Sequence, residues 1–397
     1  MVILPFIALL LPVACYSGWV VGRAGIKNRS KSYGHSLEKK YIEGVRYLVS
    51  QHHDKALEVF IQLLNNNTDA IEIHFILGEL FRRQGEVDRA IRIHQNIIAR
   101  DDVLPEINYQ ALSALAVDYY HAGIFDRSER LFLKIDKQYK LEKKNLFLLM
   151  KIYQRQKSWR QCVDIAKKIE KNFKVDMKVF LSNYYCELDV EETVSGSKKV
   201  HSSKYLQRAL LTDINSVRAN LLVANNLYSQ REYRKALISY RRILNIDVEF
   251  ALLNVKEVFH CCENIPSYDK WIGYLNDILD CNAALSLPLY FLILKHELSC
   301  ADEILNRIKR LAVDDASWQS GFVLMHEMMV SDESLLSASR DKLMKFSARC
   351  LDFYLNYVCS HCGFGLSNLQ WQCPSCDHWS TIKPNFDCVK LKTKDKA

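Results

Sequence analysis

Glycine and proline are scarce in this chain: only 13 Gly and 7 Pro occur among 397 residues. Because these residues form most tight turns, their scarcity argues against an all-β domain built from many hairpins and favours helices joined by short loops. A strong charge of either sign is also missing. The net charge of +8 permits contact with anionic lipid or acidic partners, but it is too small to indicate a nucleic-acid partner.

The cysteines lack the pattern of a disulfide framework. Their number, 13, is odd, and a disulfide-stabilised domain needs paired cysteines and a secreted context. We therefore expect most of them to be reduced, buried, small side chains. Six lie within segments of helical pattern: Cys162, Cys186, Cys261, Cys262, Cys281 and Cys300.

Charged residues are absent from the first 21 positions, MVILPFIALLLPVACYSGWVV. An apolar run of this length matches one membrane-spanning helix, so residues 1–22 are predicted to form a transmembrane anchor and residues 23–36 a basic juxtamembrane linker. No Lys or Arg precedes the apolar run, whereas four follow it closely. This asymmetry predicts a single-pass protein with its N-terminus outside and its bulk in the cytoplasm. The four basic residues are Arg23, Lys27, Arg29 and Lys31.

Two other interpretations of this segment both require basic residues at its start, and the segment has none there. A cleaved signal peptide begins with basic residues, and none is present. A lipoprotein would use Cys15 as its modified cysteine, but this interpretation also needs a basic start. It would further place the C-terminal thiols in an oxidising compartment. The anchor is therefore preferred, and one uncharged span is expected to tether the protein rather than to transport a solute.

Residues 37–350 show one amphipathic helical pattern after another. Five similar segments each have a small residue near their start. The first four small residues recur with a period of about 34 residues, and the fifth follows after roughly twice that interval, a pattern that is typical of tetratricopeptide repeats. The small side chain lies early in the second helix of each pair and allows the paired helices to approach closely. The five residues are Ala56, Ala90, Ser128, Cys162 and Ala236.

The connections between the helices show further signals. Gly85 and Gly123 lie five residues before a small residue, where a positive φ suits a tight turn. The polar stretch 191–203 is expected to be a mobile loop inside the long interval. Further helices are expected at 176–190, 201–212, 249–280 (a pair), 285–311 (a pair) and 316–350.

This array predicts an all-α solenoid whose concave face, lined by the first helix of each pair, binds a peptide or domain of a partner. Solenoids of this type have no catalytic machinery of their own. The chain is therefore predicted to be a binding scaffold and not an enzyme.

The stretch CSHCGFGLSNLQWQCPSC, residues 359–376, contains two C-x-x-C pairs separated by ten residues. Four thiolates at this spacing favour tetrahedral coordination of one metal ion, either Zn or Fe. Gly363 and Asp377 follow the two pairs, at positions where the turn needs a left-handed backbone. Residues 351–388 are therefore predicted to form a metal-binding module, followed by a basic tail at 389–397. The predicted ligands are Cys359, Cys362, Cys373 and Cys376.

The surroundings of these cysteines raise three further expectations. His361 and His378 are expected to be non-ligands because four thiolates complete a tetrahedron, and Cys388 lies outside both pairs. A segment of about 20 residues cannot bury a core of its own, so its apolar side chains are expected to pack on the last helices of the array. Electron transfer by a four-thiolate iron, as in rubredoxins, is an alternative function, although nothing indicates a flavin or second cofactor. The apolar side chains are Phe364, Leu366, Leu369, Trp371 and Trp379.

Three segments together resemble the lipopolysaccharide assembly protein B family of Gram-negative bacteria: YVCSHCGFGLSNLQWQCPSCDHWSTIKP, GEVDRAIRIHQNII and LLLPVACYSGW. The resemblance covers the whole chain. It implies, in order, an inner-membrane anchor, a cytoplasmic tetratricopeptide array and a C-terminal rubredoxin-like metal module. The metal ligands of the family correspond to the four cysteines of the two C-x-x-C pairs without departure.

The resemblance also implies a regulatory function. The family acts as an adaptor that helps the membrane AAA+ protease FtsH to degrade the deacetylase of the committed step of lipid A synthesis, which restrains lipopolysaccharide production. An inner-membrane regulator with a periplasmic domain is a further partner. The chain is thus expected in the cell inner membrane, with a periplasmic N-terminus. Two alternatives remain open: a scaffold that gathers lipopolysaccharide synthesis and transport proteins, and a rubredoxin-like redox protein.

Overall fold

The computed structural model describes residues 39–50, 52–66, 71–100, 103–195, 204–265, 268–282, 285–296, 298, 302–314 and 356–386. The predicted anchor and linker, the helix expected at 316–350 and the basic tail lie outside these residues. Within the described ranges, no helix is both long enough and apolar enough to cross a membrane.

The chain divides into two units, Met1–Lys157 and Ser158–Ala397. The described part of the first unit is helical, and its successive helices pack as antiparallel neighbours. They are α1 (residues 39–49), α2 (His53–Asn66), α3 (Ile71–Arg83), α4 (Val87–Ile98), α5 (Pro105–His121), α6 (Phe125–Gln138) and α7 (Lys143–Arg155).

The second unit continues with helices and ends in a small sheet. Its helices are α8 (Trp159–Phe173), α9 (Lys178–Val194), α10 (Lys204–Thr212), α11 (Val217–Ser229), α12 (Tyr233–Ile246), α13 (Val248–Leu253), α14 (Val255–Asn264), α15 (Tyr268–Cys281), α16 (Ser286–Lys295) and α17 (Asp302–Asp314). Its strands are β1 (Asn356–Cys359), β2 (Gly365–Leu366) and β3 (Ile382–Asn385).

The small residues of the five similar segments are buried, as the sequence predicts. All five have no exposed surface, and each is the fourth residue of its helix. The residues four and seven positions later are also buried, so each second helix presents one continuous apolar stripe. These residues are Phe60, Leu63, His94, Ile97, Phe132, Ile135, Ala166, Ile169, Tyr240 and Ile243. This pattern confirms the repeat register.

Twelve positions before the first set, four of the five first helices carry a second small residue, and the fifth carries Met150; the four small residues are Gly44, Gly78, Ala116 and Ala224. At two of these positions glycine is required: a Cβ on Gly44 would come within 2.8 Å of the Phe60 ring, and one on Gly78 within 2.5 Å of the His94 ring. Ala116 occupies the equivalent position in α5, and its carbonyl accepts a hydrogen bond from Ser128 Oγ at 2.7 Å. The sequence analysis missed this set, although the fixed offset between the two sets was present in the sequence.

The long interval between Cys162 and Ala236 contains one further repeat. In α10, Leu206 and Ala209 are 3% and 0% exposed, and they stand four and seven positions after residue 202. Residue 202 therefore divides the interval into two steps, each close to the repeat period. Helix α9 continues to Val194, so the predicted loop at 191–203 is wrong for its first four residues, and 196–203 lies outside the described residues.

The turns between paired helices share one backbone conformation. Gly85 and Gly123 have φ values of 82° and 75°, and Lys157 and Arg231 occupy the same position of their repeats with φ values of 56° and 60°. The predicted positive φ is thus confirmed for both glycines. At Lys157 and Arg231 a side chain occupies a backbone region that costs an L-residue about 1 kcal/mol or more.

One aromatic position of the repeat stripe is occupied by a histidine with buried polar contacts. His94 of α4 occupies the position of Phe60, and its Nδ1 lies 2.5 Å from Asp118 Oδ2. Arg82 donates to the other oxygen of Asp118 at 2.7 Å. Since His94 and Asp118 are at most 1% exposed, these contacts satisfy buried polar atoms that would otherwise destabilise the fold.

Most of the cysteines on helices are buried. Burial raises the pKa of Cys162, Cys186 and Cys261 to about 12, so these side chains are protonated and chemically inert. Cys262 is also buried, whereas Cys281 is exposed. The expectation of burial is therefore wrong for Cys281, and Cys300 lies outside the described residues.

The C-terminal module is a three-stranded antiparallel sheet in the order β2-β1-β3. Tyr357 pairs with Leu366 on one side and with Pro384 on the other. The sheet has a core of only three fully buried side chains, which are Cys359, Cys373 and Ile382. A core this small cannot hold the module together without a further constraint.

Arg231→Gly is expected to stabilise the second unit. Glycine removes the left-handed strain at residue 231, and after its entropic cost the net gain should be about 0.5–1 kcal/mol. The midpoint of thermal unfolding, followed by helix circular dichroism, should rise. Arg234→Gly, three residues later inside α12, is the matched control and should lose about 1 kcal/mol. A lower midpoint for Arg231→Gly would contradict the strain argument.

Candidate metal centre and its docking surface

The four predicted metal ligands lie together in the module. Cys359 Sγ is 3.7 Å from Cys376 Sγ, and Cys362 Sγ is 3.6 Å from Cys373 Sγ. Thiolates at the corners of a tetrahedron around one Zn are about 3.8 Å apart, given a Zn–S bond of about 2.3 Å, whereas bonded sulfurs lie about 2 Å apart. The ligand atoms of all four lie within 4.8 Å of one another. The geometry fits one metal ion held by four sulfurs.

Two equivalent turns bring each cysteine pair into position. The Gly363 N–H donates to the Cys359 carbonyl at 2.8 Å, and the Asp377 N–H donates to the Cys373 carbonyl at 2.9 Å. Gly363 and Asp377 have φ values of 74° and 59°, which confirms the left-handed turns expected there. Ser380, with φ of 56°, is a third left-handed residue that no sequence signal identified.

The thiols of this site do not titrate independently. Burial raises the pKa of Cys359, but the Thr381 hydroxyl and the backbone N–H groups of Cys362 and His361 outweigh burial and lower it to about 6. At Cys376 the His378 N–H lowers the pKa, whereas desolvation and the neighbouring cysteines raise it to about 12. A metal cation bound by the four sulfurs would stabilise them in the thiolate form.

The two tryptophans of the module pack on the helical array far from the position that the sequence suggests. Trp371 stacks on Phe250 of α13, with ring centroids 5.5 Å apart. Trp379, 5% exposed, meets Trp159 of α8 and Tyr184 of α9 edge to face at 6.1 and 5.8 Å. These described contacts are with helices earlier in the chain than expected; the last expected helix, 316–350, lies outside the described residues, so cover from that helix stays a prediction. Only the tertiary fold brings α8, α9 and α13 to the module.

A buried arginine lies between the two tryptophans. The guanidinium carbon of Arg218, in α11, is 5.7 Å from the Trp371 ring and 6.0 Å from the Trp379 ring. Its Nη2 donates to Glu187 Oε1 at 2.9 Å. Since Arg218 is 6% exposed, each cation–π contact should contribute about 1–2 kcal/mol. Sequence reasoning missed Arg218 because an arginine on a helix is usually solvated.

Polar contacts complete the docking. Lys383 Nζ lies 2.8 Å from Asp247 Oδ2, and this contact raises the pKa of Lys383. The other Asp247 oxygen accepts from the N–H groups of Glu249 and Phe250, which caps α13. Asp247 is therefore both the N-cap of α13 and the ion-pair partner of a lysine of the module. On α9, the Asn183 amide donates to Ser380 Oγ at 2.9 Å.

Not every apolar residue of the module packs against the helical array. Leu369 packs on the helical core together with Trp371, and Leu366 packs inside the module. Phe364 remains 43% exposed, so the expectation of cover is wrong for this residue. His361 and His378 lie on the exposed side of the module, beside Cys376.

A groove of about 600 Å³ lies in the first unit. It is formed mainly by the first helices α3, α5 and α7, on the face where partner binding is expected. Its walls mix aromatic and aliphatic side chains with charges of both signs, so it fits an amphipathic segment of a protein. The residues that line it include Phe75, Glu79, Arg82, Tyr109, Gln110, Ser113, Glu142, Lys144, Phe147 and Leu148.

Replacing two ligands should release the module from the array. In Cys359→Ser/Cys362→Ser the metal site loses half of its donors, and structural zinc sites couple roughly 10–16 kcal/mol of binding to folding in peptides. Trp371 and Trp379 should then become exposed, which a red shift of tryptophan fluorescence and faster proteolytic release of the module would report. The control is Cys281→Ser, which changes an exposed cysteine outside the module and should leave the fluorescence nearly unchanged. Retention of one metal per chain by the ligand variant would contradict the assignment.

Two family models match segments of the chain. Residues 357–384 match the rubredoxin metal binding domain, and residues 73–103, which include most of α3 and all of α4, match a tetratricopeptide repeat. The first match contains all four cysteines of the candidate site, and the second corresponds to one helix pair.

Curated relatives extend over nearly the whole chain. Lipopolysaccharide assembly protein B of Escherichia coli K12 is 29% identical over 382 residues, which cover 96% of this chain and 98% of that protein. The protein of the same name from Haemophilus influenzae is 29% identical over 404 residues, with coverages of 95% and 97%. Among solved structures, the TPR2AB-domain:pHSP90 complex of yeast Sti1 is 10% identical, covers 80% of this chain and 99% of that chain, and has a TM-score of 0.28. A score this low carries no argument. The chain is therefore similar over nearly its whole length to lipopolysaccharide assembly protein B, and it combines tetratricopeptide-type helix pairs with a rubredoxin-type four-cysteine module.

Proposed function

We propose that this protein is a membrane-anchored, non-catalytic adaptor that restrains lipopolysaccharide synthesis. In this role it presents the deacetylase of the committed step of lipid A synthesis to the membrane protease FtsH for degradation. An inner-membrane regulator with a periplasmic domain is the third proposed partner. The protein is proposed to reside in the inner membrane, with residues 1–22 as its single span, its N-terminus in the periplasm and its bulk in the cytoplasm.

The observation that carries this proposal is the similarity to lipopolysaccharide assembly protein B over 96% of the chain. Two features of the structure support it. The groove on α3, α5 and α7 has the mixed polar and apolar walls that suit a segment of another protein. The arrangement of helix pairs is one that other proteins use as a binding scaffold.

The metal centre is proposed to be structural, with Zn or Fe as the single ion. With the module docked, Arg218, Trp371 and Trp379 hold α8, α9, α11 and α13 around one contact surface. A metal analysis and visible spectrum of the purified protein test the alternative of electron transfer. A colourless zinc protein that still regulates would exclude it.

The adaptor function is tested in the native host by depletion of the protein and measurement of the half-life of the deacetylase after translation is stopped. Depletion should lengthen the half-life. Phe147→Ser, which removes a half-buried aromatic ring from the groove, should reproduce at least half of this effect at matched protein levels. Leu133→Ser is the matched control because Leu133 is 37% exposed on α6, outside the groove.

The outcomes distinguish the adaptor from a scaffold. A deacetylase half-life that is unchanged by depletion would overturn the adaptor function and favour a scaffold for lipopolysaccharide synthesis and transport proteins. A longer half-life on depletion together with full activity of Phe147→Ser would keep the adaptor function but place its substrate outside this groove.

The anchor is expected to increase the rate of regulated degradation. Two proteins confined to one membrane meet at a raised effective concentration, so removal of residues 1–21 should lengthen the half-life of the deacetylase several-fold. Binding of the deacetylase by the truncated chain in a pull-down should remain. Equal deacetylase half-lives with and without these residues, at matched protein levels, would contradict the tether.

A further inference from the structure

Two exposed histidines lie beside the four-cysteine site and take no part in the packing described above. The rings of His361 and His378 stack with centroids 3.7 Å apart and an angle of 20° between their planes. Four sulfurs already complete the coordination of one ion, so these rings are not needed for that ion.

The ring nitrogens lie close to one of the sulfurs. A ring nitrogen of His361, a ring nitrogen of His378 and the Sγ atom of Cys376 all lie within 4.8 Å of one another. Around one zinc ion, such donor atoms would be about 3.3–3.6 Å apart, given bonds of about 2.0–2.3 Å. A metal ion lies in the plane of each imidazole that binds it, so the two stacked rings must first separate; because both are exposed, rotation about their side-chain bonds can open the stack and direct one nitrogen of each ring at the same ion.

One of the two rings already makes a hydrogen bond that is common among metal-binding histidines. His378 Nδ1 lies 2.9 Å from the backbone carbonyl oxygen of Cys376. In the neutral ring this contact places the proton on Nδ1 and leaves the lone pair of Nε2 free. A backbone carbonyl that accepts from the opposite ring nitrogen is the arrangement found behind most metal-binding histidines.

The sulfur of Cys376 is the suitable third donor. Cys359 and Cys373 are at most 1% exposed, whereas Cys376 is partly exposed on the side of the histidines. A thiolate has several lone pairs and can therefore contact two ions at once. Four thiolates around one divalent ion also leave a net charge of about −2, which attracts a second cation.

We propose that His361, His378 and Cys376 form a second, surface-exposed site for a divalent ion of zinc-like chemistry, with the Cys376 sulfur shared between this ion and the ion of the four-cysteine site. With three protein ligands, the second ion keeps one coordination position for water. Its affinity is lower than that of the four-cysteine site because both imidazoles are exposed and lose rotational freedom on binding. This proposal does not depend on the adaptor function.

The test uses the purified full chain with one Zn²⁺ per molecule on the four cysteines, titrated with Co²⁺. The wild type should bind one further equivalent and develop a near-ultraviolet thiolate-to-cobalt absorption band, because the second ion contacts the Cys376 sulfur. His361→Asn/His378→Asn should lose both the second equivalent and the band. It should retain its zinc, which shows that the module is still folded.

The control keeps the two exposed histidines of the module and removes two others. His121→Asn/His260→Asn changes histidines that are exposed on α5 and α14, and it should bind the second equivalent like the wild type. Three results would overturn the proposal: no second equivalent in the wild type, equal binding by His361→Asn/His378→Asn, or cobalt binding without the thiolate band.

Discussion

Four sulfur atoms lie close together in the module: Cys359 Sγ is 3.7 Å from Cys376 Sγ, and Cys362 Sγ is 3.6 Å from Cys373 Sγ, separations that are too large for disulfide bonds. A metal ion bound by all four sulfurs would give the two cysteine turns a common centre. The module depends on this constraint, because its three strands enclose a core of only three side chains.

The constraint extends from the module into the helical array. The backbone that follows the second cysteine pair places Trp379, Ser380 and Lys383, and each of them contacts the array. The contacted helices are distant in sequence from the module, and all of them pack against it. They are α8, α9, α11 and α13. Loss of the metal would therefore expose aromatic surface on these helices as well as on the module. Loss of the module would also remove both tryptophan rings that contact the buried Arg218.

The departures from the repeat pattern have local explanations. His94 replaces an aromatic residue of the buried stripe, and Asp118 and Arg82 satisfy it. Gly78 lies against the His94 ring and admits no Cβ. Arg82 also lines the groove of the first unit, so the residue that satisfies this buried pair belongs to the proposed binding face. Arg82 thus contributes both to the packing between helices and to the shape of that face.

The sequence by itself determined the local features. The repeat period identified the helix pairs and their small buried residues, and the spacing of the cysteines identified the four side chains that meet. The positive φ values at Gly85, Gly123, Gly363 and Asp377 followed from residue type and position. These features depend on neighbours within one repeat or one turn. The tertiary structure alone decided that the module docks on α8, α9, α11 and α13, that Arg218 is buried between two tryptophans, and that His361 and His378 stack beside Cys376. Those contacts join residues that are separated along the chain, and no periodicity or spacing in a single sequence records which distant surfaces meet.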